Sequence, residues 1–341
     1  MTRYLAAASA LALGAIAAPV SAETVLRYSQ WLPPSHMLRV NVIDPYLERW
    51  AEVTGGEVRV EATPSIVGTL PGQFDAARDG LVDIVFIING YTPGRLDLTQ
   101  VAELPFLGDT AEANSVAFWR VYKDHLEEQG EFRGTVPLVT FTHGPGALYL
   151  TEGTVTSLDQ LDGKKIRVGS ESVGRTIGAL GGVPVQTPLS EIYESLSTGV
   201  VDGTAMNLEA AKNFGLIEVL PHATTVPGGI YNLTMSILIN EASWNALSEK
   251  DRAAIMEISG EPLARELGVW QDRSDEAARE ALLEAGSTVE EASPELIAAM
   301  EEAVQPVYEQ WFARAREKGL ETPEDVLDAF RAELEKIESG M

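Results

Sequence analysis

The sequence predicts a doubly wound α/β protein built as two domains. Short apolar strands alternate with segments of helical periodicity, the pattern of sheets covered by helices on both faces. Residues 156–209 hold a complete β-α-β-α-β unit whose polar residues gather at the strand ends, where open α/β sheets bind ligands. The length, 341 residues, leaves room for two cores of ordinary size.

Met1 to Ala22 reads as a secretory signal. Arg3 supplies a positive start, Leu5 to Ala18 is apolar but too short to span a bilayer, and Val20-Ser21-Ala22 fits a small-residue cleavage site. The mature chain is expected to begin near Glu23. No later segment offers about eighteen uninterrupted apolar residues, so a soluble mature protein is expected.

Glu23 to Gln30 contains Val25, Leu26 and Tyr28 in alternation and reads as the first strand. Trp31 to His36 is a loop stiffened by two prolines. Met37 to Thr54 is helical by the spacing of Val40, Ile43, Leu47 and Trp50, and Gly55-Gly56 ends it. Glu57 to Glu61 alternates as a second strand, with Val58 and Val60 on one face. Pro71 to Gly80 is a short helix. The apolar strand Val82 to Ile88 follows and ends in the polar loop 89–94.

Val136 to Phe141 is another buried strand. It runs into the turn cluster His143-Gly144-Pro145-Gly146 and then Leu148-Tyr149-Leu150, which reads as a crossover between the domains. Lys165 to Val168 is a strand carrying Arg167 and ending at Gly169-Ser170. A helix, a strand at Val183 to Gln186 and a helix start at Pro188 follow, and the unit closes on Gly199-Val200-Val201-Asp202-Gly203. Tyr231 to Asn240 is a further strand and a plausible return crossing. Ser248 with Asp251 marks a helix start. Helical pattern then runs to the end, broken at 260–262, 292–294 and 322–323, with Leu296, Met300, Val304, Val307 and Trp311 as an apolar stripe.

Composition narrows the function. Lys and Arg number 25 against 51 Asp and Glu, a net charge of −26, which argues against nucleic acid and anionic lipid as partners. The absence of cysteine excludes disulfides, thiol catalysis and thiolate metal sites. The histidines at 36, 125, 143 and 222 are scattered, and no zincin, nucleophile-elbow, dinucleotide or P-loop signature is complete. A binder of small anions in so acidic a chain needs a local positive group. An arginine at a strand end supplies one, because its planar fork meets both oxygens of a carboxylate.

Several motifs carry a family resemblance. Gly163-Lys164-Lys165-Ile166-Arg167-Val168, Pro188-Leu189-Ser190-Glu191-Ile192-Tyr193 and Gly199-Val200-Val201-Asp202-Gly203 resemble the solute-binding proteins of tripartite ATP-independent periplasmic (TRAP) transporters, the DctP-like family. Tyr91-Thr92-Pro93-Gly94-Arg95, Glu103-Leu104-Pro105-Phe106 and residues 240–247 are similar to the same family. The resemblance implies a two-lobed periplasmic-binding-protein fold with hinge-crossing segments and a helical carboxyl-terminal region. It places a signal peptide at 1–22, one lobe at 23–144 plus 232–275 and the other at 145–231 plus 276–341. It implies a periplasmic protein that captures an organic acid and delivers it to a sodium-coupled membrane permease; a monomer with no cofactor and no metal ligands of its own is expected. An ATP-driven importer's binding component and a secreted α/β enzyme remain as alternatives.

Arg167 matches the family's carboxylate anchor, with Ser170 at the end of its strand. Strand-end loops supply the other candidate ligand residues: Trp31 and His36 after the first strand, Asn89 and Tyr91 after the third, His143 and Gly146 at the crossover, and Tyr231 at the return crossing. Ala147 stands where some relatives place a second arginine. Met206, followed by Asn207, stands where many place an asparagine. Both departures remove polar contacts, so the expected ligand is a monocarboxylate with an apolar or aromatic remainder.

Overall fold

The computed structural model describes residues 23–340. The expected secretory signal lies outside the described residues. The chain first lays down β1 (Thr24–Ser29), β2 (Val58–Ala62), β3 (Ile84–Ile88) and β4 (Thr135–Thr142). It crosses to form β5 (Ala147–Leu150), β6 (Lys165–Val168), β7 (Val183–Gln186), β8 (Gly203–Met206) and β9 (His222–Thr225). It then returns for β10 (Thr234–Asn240) and crosses once more for β11 (Thr288–Glu291). Two sheets result, ordered β2-β1-β3-β10-β4 and β11-β9-β5-β8-β6-β7.

In the first sheet β1, β2 and β3 are parallel, and β10 is antiparallel to both β3 and β4. In the second, β6 is parallel to β7 and β8, while β5 runs antiparallel to β8 and β9. β3 and β10 are buried along their whole length; β3 is apolar throughout, and β10 carries Met235, Ile237, Leu238 and Ile239 with buried Thr234, Ser236 and Asn240 between and beside them. Sequence pattern did not reveal β9 and β11. Both are four-residue pieces with polar or charged residues, β11 at the sheet edge and β9 beside it, too short to display a period.

The helices are α1 (Asp44–Val53), α2 (Gln73–Arg78), α3 (Ala111–Val121), α4 (Glu171–Ala179), α5 (Ile192–Ser197) and α6 (Leu208–Asn213). They continue with α7 (Glu241–Ala246), α8 (Glu249–Glu257), α9 (Gly260–Glu284), α10 (Pro294–Ala303), α11 (Gln305–Glu317) and α12 (Pro323–Glu338). Thr110, Ser170, Asn240, Ser248 and Ser293 each cap a helix by accepting a backbone N–H. The segment before α1 is a π-helical turn, 39–43, rather than regular α-helix. Its wider turn rotates Val40 out to 46% exposure, whereas Ile43, Leu47 and Trp50 stay buried. The stripe Leu296, Met300, Val304, Val307 and Trp311 is buried throughout.

Two extended crossings run side by side, residues 143–146 and 226–233. They are tied by Gly146 N–H to Tyr231 C=O at 2.9 Å and by Ile230 N–H to Gly146 C=O at 3.0 Å. The third crossing is the long helix α9, which packs against α3 and β4 of the first lobe and against α6 and β11 of the second. Asp272 on α9 accepts from Ala111 N–H (2.6 Å) and Glu112 N–H (3.0 Å) at the start of α3. Asp275, less than a turn later, accepts from Glu209 N–H (2.5 Å) at the start of α6. Each carboxylate sits where a helix N-terminus attracts negative charge. α12 lies along α3.

Candidate functional site

The two sheets present strand ends to one another. From the first come the loops after β1 and β3 and the start of β10. From the second come the carboxyl ends of β6, β7 and β8 and the start of β5. β6 is a buried strand, so Arg167 is held at 4% exposure. Its Nε and Nη2 both donate to the Thr187 carbonyl, at 3.0 and 2.7 Å. That clamp fixes the plane of the guanidinium and leaves the Nη1–Nη2 edge to meet an anion.

Beside it lies a narrow interlobe cavity of about 80 Å³. Trp31, Phe86, Leu189, Phe214, Leu233 and Met235 contribute to its apolar walls. His36, His143, Asn207, Glu209 and Gln271 form its polar part. Arg167 stands at its flank rather than in its lining. Thr187, which holds the guanidinium, is two residues from Leu189, and β8, which pairs with β6, leads directly into Asn207. A larger surface depression, about 750 Å³, is lined by residues that include Met37, Lys212, Arg265 and Trp270; none of the anticipated ligand residues lines it.

Burial dominates the electrostatics. It lowers the pKa of His36 and of His143 to about 4, so both rings are neutral at physiological pH. His36 Nδ1 accepts from Leu38 N–H at 3.3 Å, so the ring's proton is on Nε2, 3.9 Å from Glu209 Oε1. Burial pushes the Glu209 carboxyl up, opposed by hydrogen bonds from Asn213 and Asn207, and raises Asp275 well above the usual carboxylate range. Burial also raises the Tyr231 phenol, against the favourable field of Arg167. Among the described residues no group of His, Asp and Glu has metal-holding geometry, and no helix is long and apolar enough to cross a membrane.

The anticipated residues divide. Trp31, His36, His143 and Asn207 line the cavity. Trp31 stacks on Phe86 at 5.2 Å and donates from Nε1 to the Phe86 carbonyl. Tyr231 meets His143 edge to face at 5.3 Å, within the field of Arg167 and of Tyr91. Gly146 fits because Tyr231 fills the space of a side chain; a Cβ there would lie 2.3 Å from the ring. Ser170 caps α4, and Asn89 accepts from Ser236 at 2.9 Å, with its Nδ2 unpartnered. Ala147 and Met206 face each other across β5 and β8 and pack in the second lobe's core, away from the cavity lining.

Several lining residues escaped sequence reasoning. Leu189 and Glu209 lie within the motif region and Met235 within the return strand, but nothing local marked them. Gln271 sits on α9 and Phe214 directly follows α6, so their facing is decided by packing between the lobes.

The family model described as bacterial extracellular solute-binding protein, family 7, matches residues 28–315. A TRAP periplasmic solute-binding protein from Bordetella bronchiseptica, with bound (R)- and (S)-mandelate, is 36% identical with a TM-score of 0.87, covering 92% of this chain and 99% of its own. A marine-metagenome TRAP protein specific for aromatic acid ligands, in complex with metahydroxyphenylacetate, is 30% identical with a TM-score of 0.86 over 92% and 99%. A TRAP protein from Rhodoferax ferrireducens with copurified benzoate is 28% identical with a TM-score of 0.86 over 93% and 99%.

Proposed function

The chain belongs to bacterial extracellular solute-binding protein family 7, and from that premise we propose that it captures a small aromatic monocarboxylate in the periplasm and hands it to a TRAP membrane permease. The matched structures are binding proteins of transporters, so the secreted-enzyme and ATP-driven-importer readings are not retained. In this reading the secretory signal delivers the chain to the periplasm, and it works there as a monomer.

One observation carries the ligand class: a clamped arginine flanks a cavity walled by Trp31, Phe86 and Phe214. The carboxylate meets the free edge of Arg167, and the ring lies among the aromatic walls. The cavity's polar part discriminates against a second carboxylate. Glu209 lines it, Asp275 lies behind it, and the two histidines that face it are neutral. A second anion buried there would lose its hydration and meet no cation in return. The relatives bind mandelate, metahydroxyphenylacetate and benzoate, which supports the same class.

Thermal-shift screening followed by calorimetry tests the reading. Benzoate, phenylacetate and mandelate are expected to raise the melting temperature, and succinate, malate and glucuronate to compete at least tenfold less well, about 1.4 kcal/mol. Displacement of the best aromatic acid by succinate at comparable concentration would overturn it.

A further inference from the structure

Resting on the aromatic-acid reading, we propose that Glu209, Gln271 and His36 form a site for a ring hydroxyl, so that the preferred ligand is a hydroxylated aromatic monocarboxylate. The polar part of the cavity is built from acceptors. Gln271 is 2% exposed, lines the cavity, and its Oε1 has no hydrogen-bond partner. A buried acceptor without a donor is costly, and a ligand that supplies the donor removes that cost. Glu209 lines the same part of the cavity at 6% exposure. Its neighbours are the amides of Asn207 and Asn213, and the nearest ring that could carry a positive charge is His36, held neutral by burial.

One donor on this wall complements these acceptors. His36 carries its proton on Nε2, because Nδ1 accepts from Leu38 N–H. A hydroxyl group can therefore accept from His36 Nε2–H while donating to Glu209 or to Gln271 Oε1. An ether can accept but not donate, and an unsubstituted ring can do neither. These groups come from both lobes: His36 follows β1, whereas Glu209 lies in the first turn of α6, and the His36 ring meets the ring of Phe214, just past that helix, edge to face at 5.1 Å. The hydroxyl thus bridges the lobes, and all of its contacts are made only when they close.

Calorimetry on the mature full chain tests this with benzoate, 3-hydroxybenzoate, 4-hydroxybenzoate and the two corresponding methoxybenzoates. At least one hydroxybenzoate is expected to bind about tenfold or more tightly than both benzoate and its own methyl ether. The ratio of hydroxybenzoate to benzoate affinity is expected to fall toward one in Gln271→Leu and to shrink in Glu209→Gln, whatever the absolute affinities. The wild-type comparison needs no variant to fold. Benzoate binding with no gain from either hydroxyl position would overturn the hydroxyl site and leave the aromatic-acid reading standing. A preference that survives in both folded variants would overturn the assignment to these residues. A folded protein that binds none of these acids, nor mandelate nor phenylacetate, would overturn both.

Discussion

Ser172, on the first turn of α4 in the second lobe, donates its hydroxyl to the buried carboxylate of Glu103 in the first. Glu103 is otherwise held by the backbone N–H (3.1 Å) and hydroxyl (2.6 Å) of Thr234 at the start of β10. The contact joins the two lobes beside the return crossing, where a swing of one lobe would stretch it. Ser172→Ala removes one donor to a buried acid and is expected to weaken ligand binding by about 1.5–3 kcal/mol. Small-angle scattering of the liganded variant should show a more expanded particle than wild type. Equal affinity and equal profiles would mean that the bond plays no part in closure.

Arg167 is the expected anchor. Arg167→Ala strips the ligand carboxylate of its partner and is expected to cost about 2–5 kcal/mol of binding. Arg167→Lys restores the charge but not the fork, so it recovers part of the loss. Because Thr187 C=O also loses its donors, circular dichroism must first establish that the variants fold. Unchanged calorimetric affinity in folded Arg167→Ala would remove Arg167 from the site.

Gly146→Ala tests the paired crossings. A Cβ would lie 2.3 Å from the Tyr231 ring and 2.8 Å from its carbonyl, so the two segments must separate or the ring must swing out. An expected loss of about 1–3 kcal/mol in urea unfolding follows from such overpacking. Ligand affinity should fall with it, since the Tyr231 ring packs on His143.

Glu131 gives a pH signature. Its carboxylate receives Leu98 N–H at 2.9 and 3.1 Å, yet burial prevails and pushes its pKa up from 4.5 to about 7. The folded state then holds a proton that the unfolded chain has released. The group's stabilising contribution is full below pH 4.5 and is lost as pH rises through about 7. Glu131→Gln is expected to flatten the decline of the melting temperature across that window relative to wild type. Parallel curves for the two proteins would rule out Glu131 as the source.

Strands were legible wherever they were long or buried on both faces. Ile84–Ile88 is a continuous apolar run, and Thr234–Asn240 carries Met235 and the run Ile237-Leu238-Ile239. His222–Thr225 and Thr288–Glu291 were not legible, because such short polar strands take their character from their partners rather than from their own side chains. The site was legible in the same uneven way. Arg167, Asn207 and His143 lie at strand ends, where sequence order and space coincide. Gln271 comes from α9 and Phe214 from the end of α6, and their facing depends on α9 packing between lobes, a relation spanning most of the chain. Ala147 and Met206 illustrate the converse: motif positions pointed to the cleft, but the pleat turns both into the second core.

Asp272 and Asp275 fasten α9 to one lobe and then the other within a single turn. In a pair of tongs the rivet does not travel however wide the jaws swing. Gln271 stands beside that rivet and also lines the cavity. A solute entering from the open mouth therefore encounters, at the deepest point, a surface already in its final place. Of the hydroxyl contacts, only the one with Gln271 can form on arrival; those with His36 and Glu209 are added as the jaws shut, so a solute lacking the hydroxyl should leave faster from the open protein and again from the shut one.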